Sequence, residues 1–163
     1  MDELLTKEAK EWIGYEYPIQ TFEVTKHDIL KFAYATGERN ALHLDEAVSL
    51  KRGYRGLVAP PMFYIAVRTA AYHIVPLEEF SVDGTPKNDL PPISTIRGMG
   101  GEISAALPTP ICAGDTLTIG KRVDDVWEKQ GRSGPLVFVK FAFTITNQLS
   151  ETVLNEEFTR IFR

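Results

Sequence analysis

The chain has 163 residues, close to one domain's length, with 44% hydrophobic and 25% charged residues, enough to build a core without covalent staples. The 18 Lys and Arg stand against 22 Asp and Glu, and no basic run breaks that acidic balance, which excludes an electrostatic footprint for nucleic acid. One cysteine, Cys112, excludes an intrachain disulfide and a cysteine-cluster metal site, and the 3 widely spaced histidines give no metal-ligand pattern.

The first residues, Met1 to Glu8, are polar and acidic, unlike a signal peptide. No apolar run approaches the roughly 18 residues of a membrane span. A cytoplasmic protein with neither membrane nor nucleic-acid partner is the expectation.

Residues 1–14 read as a short polar helix or lead-in, packed through Trp12. Ile19 to Thr25 alternates as a strand. Thr25 is an N-cap with Asp28 three residues on, a variant of the capping box, and Ile29, Leu30, Phe32, Ala33 and Ala35 continue a helix that Gly37 stops. A second short helix follows the N-cap Asp45 and ends at Gly53. Between these helices lies the polar segment Glu38 to His43.

Pro61 suits the first turn of a helix. From Met62 to Val75, apolar residues at Phe63, Ala66, Val67, Ala70, Ala71 and Ile74 form a helical stripe, with Arg68 the only fully charged side chain. A mostly buried central helix is expected there. Residues 76–93 form a proline-rich connection too long for an idle turn.

The remainder reads as strands: Thr95–Ala106, Thr116–Trp127, Leu136–Asn147 and Val153–Phe162. The second presents Leu117, Ile119, Val123 and Trp127 on one face. The third presents Val137, Val139, Phe141, Phe143 and Ile145. The fold class is therefore α+β, with a long central helix wrapped by a curved antiparallel sheet of about five strands. Its outer face and edge call for a second copy to cover them.

Gly37-Glu38-Arg39-Asn40-Ala41-Leu42-His43 resembles the hydratase motif of MaoC-like acyl-thioester hydratases and dehydratases, whose form is Gly-Asp-x-Asn-Pro-x-His. Gly53 to Phe63 resembles that family's lead into its central helix, and Pro110 to Leu117 its strand-turn signature. Gly131 to Phe138 resembles a turn and strand of its fatty-acid-synthase-like dehydratase branch. The resemblance implies a hot-dog domain over residues 15–163, after a lead-in over 1–14.

It also implies an acyl-thioester hydratase or dehydratase acting on a CoA or acyl-carrier-protein thioester, without metal or redox cofactor. The unit would be a homodimer, or a heterodimer with a second hot-dog chain. Hydrating a 2-enoyl thioester needs one group to activate water and one to deliver a proton. Glu38 and His43 take the positions of the family's catalytic pair. Asn40 would orient the water or hold the loop. Pro60, Met62 and Arg68 are the remaining substrate-binding candidates, Arg68 set against either a CoA phosphate or a carboxylate of the fold.

Three departures stand out. Glu38 replaces Asp, and its extra methylene moves the carboxylate by about a bond length; a misplacement of about 1 Å can cost roughly 100-fold in rate. Ala41 replaces a loop-stiffening Pro. Pro61, without an N–H, stands where the family has a Gly amide that donates to the thioester oxygen. The last two features resemble non-catalytic partner subunits of heterodimeric dehydratases, which keeps that reading open. A hot-dog thioesterase ranks third, because the first carboxylate after Pro61 is Glu78, beyond the helix.

Overall fold

The computed structural model describes residues 4–70, 76–80, 82, 84, 86–87, 89–94 and 97–163. Alternating apolar residues in the second half build one antiparallel sheet of five strands. The strands are β1 (Gln20–Glu23), β2 (Gly98–Ala106), β3 (Thr116–Gly131), β4 (Gly134–Thr146) and β5 (Thr152–Phe162), in spatial order β1-β3-β4-β5-β2. The helices are α1 (Lys7–Lys10), α2 (Lys26–Ala35), α3 (Glu46–Lys51) and α4 (Tyr64–Ala70), with short 3-10 turns at Ala41–His43, Pro61–Phe63 and Leu77–Glu79.

β4 is the spine. Val137, Val139, Phe141, Phe143 and Ile145 are all buried on one face, as their alternation predicts. Two apolar clusters cover that face. In one, Ile29 of α2 and Phe63, Tyr64 and Val67 of the Pro61–Ala70 segment pack on Leu117, Ile119, Ile145 and Leu154. In the other, Leu5, Ala9 and Tyr17 pack on Val123, Val126, Val137, Val139, Phe141 and Phe143, with Leu90 and Ile93 against them. The lead-in is thus part of the core: Thr6 caps α1, and Trp12 is half-buried beside Tyr15 and Tyr17.

The predicted inward face of β3 holds through Val123 and then fails. A bulge between Val123 and Asp125 inserts one residue, which shifts the alternation by one. Val126 turns inward, and Trp127 stacks on its cross-strand neighbour Phe138, rings 8° apart and centroids at 5.1 Å. Lys121, which lies between Ile119 and Val123 in the alternation, is mostly buried and pairs with Asp89. Burial pushes its ammonium pKa below the ordinary lysine value, and Asp89 partly offsets this.

The Thr25 capping box is complete: its side chain accepts from the Asp28 amide and Asp28 Oδ2 accepts from the Thr25 amide. The central helix begins as expected, with Pro61 at the head of a 3-10 turn that runs into the seven-residue α4, so the long central helix expected from Met62 is shown only over this short stretch. The predicted continuation through Ala71, Ile74 and Val75, with Tyr72 and His73, lies outside the described residues, as do Thr95 and Ile96 at the predicted start of the next strand. β2 is an edge strand exposed along all 9 residues, Met99 and Ile103 included.

Candidate active site

The loop after α2 carries the site. Gly37 sits at φ +70°, the left-handed conformation a helix end needs and glycine adopts freely. Glu38 follows, and its Oε1 accepts from the amides of Arg39 (2.7 Å) and Asn40 (2.8 Å). Those two donors hold the Glu38 carboxyl below its ordinary pKa, the Asn40 amide most and the Arg39 amide next. Oε2 takes no hydrogen bond from the described residues.

Asn40 Oδ1 accepts from the Leu42 amide at 3.0 Å and caps the turn Ala41–His43. Its side chain therefore holds the loop. Ala41 occupies the first position of this turn, where a proline would fit equally, so its replacement leaves the turn intact.

His43 is 8% exposed, and its Nδ1 lies 3.0 Å from the Val58 carbonyl. A carbonyl only accepts, so Nδ1 carries the proton and Nε2 presents a lone pair. The Val58 carbonyl is itself well placed. The segment Gly56 to Ala59 runs antiparallel to Ile111–Ala113, with Ala59 N–H to Ile111 O and Ala113 N–H to Leu57 O both 2.8 Å. Close approach demands glycine at 56, where a Cβ would lie 2.5 Å from the Ala113 carbonyl oxygen.

The far side of this ladder is anchored by buried Asp115. Its Oδ1 accepts from Arg55 Nη2 (2.9 Å) and Gln148 Nε2 (3.1 Å), and its Oδ2 from the Cys112 amide (2.8 Å). Asp115 and Cys112 share the strand-turn motif, but Arg55 and Gln148 come from distant segments, and no local signal assigns them.

The other candidates separate. Pro60 is buried, and its carbonyl accepts from the Phe63 amide at 2.9 Å, so it shapes the helix start and offers a substrate no polar group. Met62 is 52% exposed, and its amide, the first after the N–H-less Pro61, has no partner among the described residues. Arg68 points into the fold. Its Nη1 pairs with Glu156 Oε1 at 2.7 Å, and its guanidinium lies over the Phe158 and Phe143 rings. The pairing with a carboxylate displaces the CoA-phosphate expectation, since the guanidinium is engaged below the surface.

The sequence profile described as "FAS1-like, dehydratase domain region" matches residues 11–156. A UPF0336 protein of Saccharopolyspora erythraea is 29% identical over 154 residues, covering 93% of this chain and 89% of its own. Among solved structures, the HadBC (3R-hydroxyacyl-ACP dehydratase) complex from Mycobacterium tuberculosis superposes at TM-score 0.70 with 21% identity, covering 94% of this chain and 98% of its own. R-hydratase PhaJ1 from Pseudomonas aeruginosa superposes at TM-score 0.65 with 21% identity, covering 91% and 79%. The fold is thus the hot dog of MaoC-like hydratases and dehydratases, and the chain belongs to the FAS1-like dehydratase-region family.

Proposed function

We propose that the protein is an acyl-thioester hydratase or dehydratase that interconverts a 2-enoyl and a 3-hydroxyacyl thioester, with Glu38 and His43 as the acid–base pair. One observation carries this reading: a carboxylate and an imidazole lie on one short capped loop, and the Nδ1 contact to Val58 leaves His43 Nε2 bare. The uncommitted Glu38 Oε2 accepts one hydrogen of the water. His43 Nε2 takes the other proton as the oxygen bonds to C3, and returns it to C2. Dehydration is the reverse. The charge that builds on the thioester oxygen needs a donor, and the Met62 amide is the first the central helix can supply.

The carboxyl pKa held low suits this division of labour, because Glu38 stays an acceptor while His43 carries the mobile proton. The acyl group is carried as a CoA or carrier-protein thioester. A second hot-dog chain along the exposed edge β2 completes the unit, as homodimer or heterodimer, since an open edge of this length invites pairing. The FAS1-like dehydratase match supports the reaction class.

Pro61 favours a second reading, in which this chain is the substrate-binding partner of a catalytic hot-dog chain, because it withdraws a donor from the helix start. Purified protein with crotonyl-CoA, followed by loss of 2-enoyl absorbance, tests both. Turnover by the chain alone supports the first. Turnover only after adding a second hot-dog chain, unaffected by His43→Ala in this one, supports the second.

A further inference from the structure

Ser49 takes no part in the chemistry above, yet it is fully buried on α3 and bonded at both ends. Its hydroxyl donates to the Leu42 carbonyl at 2.7 Å, and its oxygen accepts from the Val58 amide at 3.3 Å. Val58 is the residue whose carbonyl meets His43 Nδ1. Leu42 is the residue whose peptide leads into His43. Three hydrogen bonds therefore close a ring: imidazole to Val58, Val58 to Ser49, Ser49 to the peptide that carries the imidazole.

The ring has a directional consequence. The ladder fixes the Val58 segment against Ile111–Ala113 and makes no bond to the His43 loop. Ser49 makes that second connection, by a side chain that can donate and accept at once. Alanine would fill the same space and leave the Leu42 carbonyl and the Val58 amide without this partner. The Val58 carbonyl would then be free to drift from Nδ1, and the imidazole free to exchange tautomers.

We propose that Ser49 is a positioning residue: it holds the Val58 carbonyl on His43 Nδ1 and so keeps the imidazole in the Nδ1–H tautomer with Nε2 open to the site. The effect on rate rests on the hydratase reading; the effect on the tautomer does not.

The test is long-range 1H–15N correlation on protein labelled at histidine nitrogen, with the His43 signals assigned through His43→Gln and exposed His27 as internal control. The wild type is expected to show His43 protonated at Nδ1 and bare at Nε2. Ser49→Ala is expected to show a mixed or reversed pattern at His43 with His27 unchanged. Its kcat on crotonyl-CoA should fall roughly 10- to 100-fold, as a small misplacement of a catalytic group does, with KM nearly constant. Ser49→Cys, which keeps a weak donor and acceptor, should fall between the two; it carries the test if the alanine variant does not fold.

A wild type protonated at Nε2, or variants that both keep a pure Nδ1–H pattern, would overturn the proposal. A lost tautomer in a protein that hydrates no enoyl thioester would leave the positioning role standing and remove the hydratase reading. Full kcat in both variants of an active enzyme, with the Nδ1–H pattern kept, would remove the positioning role and leave the hydratase reading standing.

Discussion

Replacing Arg68 by methionine removes the one described ion-pair partner of a carboxylate that solvent cannot reach. The Glu156 side chain is 0% exposed and that of Arg68 11%, with 2.7 Å between Nη1 and Oε1. A buried carboxylate left without its cation costs about 3–5 kcal/mol. Loss of the guanidinium above Phe158 at 4.7 Å adds to this, while the methionine stem keeps part of the packing. At about 2–4 °C per kcal/mol for a chain of this size, the midpoint should drop by roughly 6–20 °C.

The double variant Arg68→Met with Glu156→Leu should behave differently. The pair already leaves Arg68 Nε and Glu156 Oε2 buried without hydrogen bonds. Exchanging both for apolar residues removes that penalty, so the double variant should match the wild type or exceed it by about 1–4 kcal/mol. Urea unfolding of wild type, both singles and the double, at one protein concentration, gives the coupling directly. A single-variant loss under about 1 kcal/mol, or a double variant no better than the sum of the singles, would show that water or another group serves the carboxylate.

Gly56→Ala places a Cβ within 2.5 Å of the Ala113 carbonyl and should cost about 1–3 kcal/mol in urea unfolding. It should also lower turnover by shifting Val58 from His43. Asp115→Asn cannot satisfy the donors from Arg55, Gln148 and Cys112 together, because the amide offers one oxygen; a loss of about 1–3 kcal/mol is expected by the same assay. Glu38→Gln keeps an oxygen for the Arg39 and Asn40 amides but removes the charge they favour. The folded-state pKa of Glu38 lies below its ordinary value of 4.5, so the carboxylate's contribution is fully present above 4.5 and is lost as pH falls through the folded value. The midpoint gap between Glu38→Gln and wild type should hold at neutral pH and close in acid.

Legibility in the sequence followed the range of the interaction. The period-2 run on β4 named every buried residue from Val137 to Ile145, because burial of one face is a local pattern. Thr25 and Asp28 announced a helix start for the same reason. β3 broke the rule at one point: a bulge carries no composition of its own, and Trp127 moved to the opposite face. The Arg68–Glu156 pair joins residues 88 apart, so it needed the register of β5 to be seen. At the site, the five-residue spacing of Glu38 and His43 was readable. What fixes them was not, because His43 is held by a backbone carbonyl and Ser49 by two backbone groups. A peptide group looks the same at every position in a sequence.

The most direct measurement is the initial rate of 2-enoyl absorbance loss with crotonyl-CoA for wild type, His43→Ala and Glu38→Gln. A positioned acid–base group contributes roughly 100- to 10,000-fold. The wild type should turn over alone, and each variant should lose a factor in that range in kcat/KM while remaining folded at the assay temperature. Wild-type rates in the folded His43→Ala variant would contradict the account.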